Sequence, residues 1–153
     1  MKNTNDKIIE CINNLIAIVN DGMCGYENAS QDVNDATLKE LFRQYSDERA
    51  FFALALKNEV KRLGGDPEKG GDTLGALHRT WMDIKSTITT GDRDGILKIC
   101  ITGEEAAVKA YSEQLKNDIP DNNIRDLLNQ QLNSIQQALN NIRSLENTVT
   151  SNQ

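Results

Sequence analysis

Apolar residues recur every three or four positions along most of this chain, with polar residues between them. That period marks amphipathic helices, each with one stripe to bury. The first helical pattern runs from Thr4 to Ser30, with Ile8, Ile12, Leu15, Val19, Met23 and Tyr26 in its stripe. The second runs from Asp35 to Leu63, with Leu38, Phe42, Tyr45, Arg49, Phe52, Leu56 and Leu63 inward. It stops at Gly64-Gly65-Asp66-Pro67, a glycine-then-proline terminator. A shorter helix is predicted from Thr73 to Thr89, carrying Leu74, Leu77, Trp81, Ile84 and Ile88 on one face. The next runs from Arg93 to Asn117, with Leu97, Cys100, Glu104, Ala107, Tyr111 and Leu115 in its seam. After the break at Ile119-Pro120, a last helix runs from Asp121 to Thr148 on Ile124, Leu128, Gln131, Ile135, Ala138, Ile142 and Leu145.

No segment reads as a strand, so the chain is all-α. Four long stripes must bury one another, which predicts a single domain over residues 1–153. Two short connections make two antiparallel helical hairpins. The connection between the second and third long helices is long and holds the fifth, shorter helix. One such crossover is the signature of a ferritin-like antiparallel four-helix bundle. It lets the second and third long helices run parallel.

The helical period of about 3.6 residues also places polar side chains inside. Arg49, Glu104 and Gln131 all fall in inward stripes. Arg49 and Glu104 both lie about four turns into their helices and should meet at the bundle centre. Gln131 is near enough to join them, and the hydroxyls of Tyr45 and Tyr111 are positioned to complete a network. A buried guanidinium without a partner costs several kcal/mol, so Arg49 is expected to pair with Glu104, in a two-point fork. The plain function of such a network is to fix helix register; the alternative is a ligand- or anion-binding interior.

A ferritin-like bundle invites a test for a dinuclear metal site. That site takes an inward Glu from each of two helices and Glu-x-x-His from each of the other two. Here Glu48 is followed three residues later by Phe51, and Gln131 and Ile135 stand where the last helix would need acids. Asp21 is read as projecting away from the apolar face, and Glu27 as lying at its edge. A central Arg49 adds positive charge where metals need negative. No metal and no cofactor are therefore expected. His78, the one histidine, falls on the connecting helix with no nucleophile spaced to it. The adjacent Glu104 and Glu105 point in different directions on a helix, so they do not form an acid–base pair. Gly22 and Gly25 beside Tyr26 imply close approach by another helix, or room for a small ligand.

Charge narrows the partners. The chain of 153 residues has 17 Lys and Arg against 23 Asp and Glu, a net charge of −6, and a pI of about 4.8. Its basic residues are scattered singly, so no nucleic-acid partner is expected. No apolar run is long enough for a membrane span, and the N-terminal pattern is not that of a secretory signal. Cys11, Cys24 and Cys100 are odd in number, with no metal-ligand spacing. Three free thiols, with Cys100 buried, fit a cytoplasmic protein.

Several short motifs carry a resemblance. They are Asn20-Asp21-Gly22 with Gly25-Tyr26, Ser46-Asp47-Glu48-Arg49 with Phe52, and Leu63 through Pro67. His78-Arg79 with Trp81, and Gly103-Glu104-Glu105-Ala106 with Tyr111, complete the set. Together the chain resembles an uncharacterised bacterial family of four-helix-bundle proteins, a domain of unknown function grouped with the ferritin-like superfamily. The resemblance implies a bundle in a bacterial cytoplasm, with a link to stress and no assigned reaction. Three functions follow as expectations: a non-catalytic, self-associating protein that forms a homodimer; a metal-binding oxidoreductase or iron-handling protein; and a small-ligand binder that uses the bundle interior.

Overall fold

The computed structural model describes residues 4–67, 93–117 and 119–151. Within them the chain forms α1 (Thr4–Asp32), α2 (Ala36–Arg62), α3 (Arg93–Leu115) and α4 (Asn122–Ser151), with no strand among the described residues. The connecting helix expected over 73–89, with Trp81 and His78, lies outside the described residues.

Side-chain caps and a glycine stop set both ends of α2 and the start of α4. Asp35 caps α2: its carboxylate accepts from the Thr37 and Leu38 amides at 2.8 and 3.1 Å. Asp121 does the same for α4 through the Ile124 amide at 3.1 Å. At the end of α2, the Gly65 amide donates to the Val60 carbonyl and the Gly64 amide to the Lys61 carbonyl. This paired closure needs a left-handed residue, and Gly64 supplies it with φ +83°. The turn is then pinned to α1, where the Asn13 side-chain amide donates to the Asp66 carbonyl at 3.1 Å.

The helices form two hairpins that pack together. α1 lies along α2 and α3 along α4, and α1 also packs on α3; α2 and α4 touch only sparingly. Pairings along α2 fix its sense against α4. Tyr45 meets Asn141, Phe52 meets Gln131 and Arg62 meets Asp121, so the two helices are antiparallel. Since α3 is antiparallel to α4, α2 and α3 run parallel. α2 therefore ends at one end of the bundle and α3 begins at the other.

The core is the sum of the four stripes. Ile12, Leu15, Phe42, Leu56, Leu97, Ile124, Leu128 and Ile135 are all fully buried. Each such side chain contributes roughly 1.5–3 kcal/mol relative to exposure. α1 is buried over more of its circumference than its period predicts, because α2 and α3 both pack on it. Ile16, Ala17 and Ile18 join its stripe, and so does Asp21. Asp21 is thus buried, not outward-facing as the sequence reading had it.

Candidate functional site

Two charged side chains stand at the middle of this apolar interior. Arg49 on α2 and Glu104 on α3 are each 1 % exposed. The guanidinium grips the carboxylate at both points, Nη1 to Oε1 at 2.5 Å and Nη2 to Oε2 at 2.6 Å. A fork of this kind is the strongest form of the interaction, since both oxygens and two donors are satisfied at once. Burial alone would lower the Arg49 pKa. The hydrogen bonds and charge of Glu104 outweigh it and hold the guanidinium above its ordinary range. Arg49 is therefore a permanent cation.

Aromatic rings wall the pair. The guanidinium carbon lies 5.4 Å from the Tyr26 ring centroid and 5.9 Å from that of Phe52, within cation–π range. Tyr26 is completely buried and stacks obliquely on Phe42 and Tyr45, at 5.9 and 5.2 Å. Burial, with the negative charge of Glu104, pushes its phenol well above the ordinary range. Gly22 supports the other side: a Cβ there would stand 3.5 Å from Arg49 Nη1 and 3.8 Å from its Cγ. At Gly22, what approaches α1 is the side chain of Arg49, at van der Waals contact.

The remaining polar residues form separate groups. The Tyr111 hydroxyl donates to Gln131 Oε1 at 2.6 Å, and Gln131 Nε2 donates to the Phe52 carbonyl at 3.3 Å. Both side chains are buried, and burial pushes the Tyr111 phenol above its ordinary range. Gln131 thus binds Tyr111 and the α2 backbone and does not reach the ion pair. Tyr45 does not complete the network either. It is half-buried, and its hydroxyl accepts from Asn141 Nδ2 at 2.8 Å near the surface. Its hydroxyl is thus committed to α4 and not to the central pair. Ser46, named in the sequence only within the motif it shares with Arg49 and not as part of a polar network, is buried and donates to the Met23 carbonyl at 2.9 Å, tying α2 to α1. Its signal was its place one turn before Arg49, on the α1-facing side.

Glu48 is half-buried beside the centre, and its Oε1 has no hydrogen-bond partner among the described residues. Burial raises its pKa, only partly offset by Arg49. Glu105 is exposed and pairs with Arg143 at 2.8 Å. Phe51, which stood in the imidazole place of the dinuclear pattern, is 71 % exposed and turned to solvent. Cys11 and Cys100 are buried, Cys24 is exposed, and all three are free; burial raises the Cys11 thiol to about 11. A cleft of about 740 Å³ opens between the start of α1 and the α3–α4 connection, lined by Lys7, Glu10, Cys11, Asn14 and Gln114. The central pair is not part of its wall.

These donors do not fit a dinuclear metal centre. Glu104, the carboxylate at the centre, already has both oxygens bound to a fixed cation. Position 51 points outward, and α4 offers Gln131 and Ile135. Among the described residues no three His, Cys, Asp or Glu side chains gather as a metal set. No helix there is long and apolar enough to cross a membrane.

The fold and site define a four-helix bundle organised around a buried arginine–glutamate fork. A family model described as a domain of unknown function (DUF2383) matches residues 7–117, which takes in most of α1 with all of α2 and α3. The chain belongs to that family. No match to a curated protein was found.

Proposed function

We propose that this chain is a ferritin-like bundle protein of the bacterial cytoplasm that works by association, with itself or another protein, and not by catalysis. The observation that carries the reading is the fork between Arg49 and Glu104. In a metal-handling bundle the central carboxylates must be free to bind ions. Here the central carboxylate is saturated by a guanidinium that never deprotonates. A small anion finds only Arg49 Nε without a hydrogen-bond partner, because Glu104 holds both terminal nitrogens. Support for the ferritin-like arrangement comes from the parallel course of α2 and α3, which requires one long crossover. The stress link rests on the resemblance of its short motifs.

The test is direct. Protein purified without chelators is analysed for metals, then mixed with iron(II) in air. The expected result is no stoichiometric metal and iron oxidation at the rate of buffer alone. One or two ions per chain, or oxidation well above background, would overturn the reading.

A further inference from the structure

The outer face of α2 repeats at alternating steps of four and three residues. Gln44, Asp47, Phe51, Leu54, Asn58 and Lys61 follow that spacing and are all exposed. These positions share one helix face with the spacing of a coiled-coil seam, apolar at its two central positions, and nothing among the described residues covers it. At its middle, Phe51 is 71 % and Leu54 55 % exposed, the large apolar side chains that stand out in water among the described residues. A solvated helix face has no reason to carry both at adjacent seam positions.

The pattern is also self-complementary. Turned end for end about a point between Phe52 and Ala53, α2 sets Phe51 against Leu54, Asp47 against Asn58 and Gln44 against Lys61. Asp47 precedes the apolar pair, while Lys57 and Lys61 follow it; Arg43 and Arg62, which the same reversal brings together, are each paired with an acid of their own helix, Glu40 and Glu59. Reversal therefore brings Asp47 of one copy beside Lys57 and Lys61 of the other, twice over, as a two-fold axis requires. A parallel pairing would instead set acid on acid and base on base.

We infer that a second copy of this chain docks antiparallel on this face, with Phe51 and Leu54 at the centre of the contact. The inference rests on the association reading above and names its partner. A single helix pair is smaller than a standard interface, so the dimer is weak and depends on concentration.

Sedimentation equilibrium of the full chain over a range of concentrations tests it. The mass should rise from 17.0 kDa toward twice that value. Phe51→Glu with Leu54→Glu should hold it at the single-chain mass with helix content unchanged, since both side chains are exposed. Asp47→Lys and Lys61→Asp should each weaken association about tenfold. Mixing those two variants should restore it, because the mixed dimer regains both opposite-charge contacts. A mass independent of concentration would overturn the proposal. So would a double Glu variant that melts earlier at unchanged mass, which would show that residues 68–92 of the same chain cover the patch. Either failure leaves the metal and iron-oxidation result standing on its own.

Discussion

At the scale of single residues, the bundle's stability turns on who partners Arg49. Removing one member of a buried pair leaves the other charged and unsolvated, whereas removing both removes the problem. Arg49→Leu should therefore cost about 3–5 kcal/mol by urea denaturation. Arg49→Met combined with Glu104→Leu should recover most of that loss; a double variant as unstable as the single one would show that the pair stabilises in its own right. Glu48 offers a pH test of opposite kind. Its native pKa is raised from 4.5 by burial. Below 4.5 both folded and unfolded states hold the proton and there is no cost. As pH rises from there through the native pKa, the unfolded state releases its proton first and the fold loses stability. The melting temperature of Glu48→Gln should accordingly gain on the wild type as pH rises above 4.5 and then level off; a constant difference would contradict this origin. The Arg49 and Glu104 positions were legible in the sequence because a charge in an apolar stripe stands out against the period. Tyr45 was not, because the stripe gives the direction of a side chain but not which neighbour its hydroxyl meets. Asp21 escaped because α1 is enclosed by two helices, and one stripe cannot describe that.

The helices themselves show how far local chemistry reaches. α2 was expected from Asp35 to Leu63 and spans Ala36–Arg62, because an aspartate cap and a glycine stop leave little freedom at either end. α1 and α4 overrun their expected ends slightly, where no such stop is written: they close at Asp32 and Ser151. The two glycines after α2 have different duties. A Cβ on Gly64 would meet nothing within 4 Å, so only its left-handed backbone resists substitution. Gly64→Ala should then cost about 1 kcal/mol, read as a lower denaturation midpoint with an unchanged slope. A Cβ on Gly65 would instead lie 2.8 Å from Ile9, a matter of space that no sequence period announces. Phe51 and Leu54 lie off the inward stripe of α2, so the helical period by itself assigns them to the solvated face and gives no sign that they pair there.

For the molecule as a whole, loop lengths were enough to pair the helices into hairpins, and the polar contacts along α2 and α4 supply the sense in which those hairpins meet. What the sequence could not convey is how unevenly they meet, with α1 enclosed and α2 barely touching α4. The fork between Arg49 and Glu104 lies across that uneven join, one partner in each hairpin. Sliding one hairpin by a helical turn, about 5.4 Å, would tear both contacts and strand two charges in oil. The fork is thus a pawl for the fold, and its positive half is tethered to the chain. An ion held by coordination can be chelated, exchanged or starved away, and an iron centre changes with its oxidation state. This cation is inherited with the backbone, so the alignment of the two halves owes nothing to the metal supply of the surroundings.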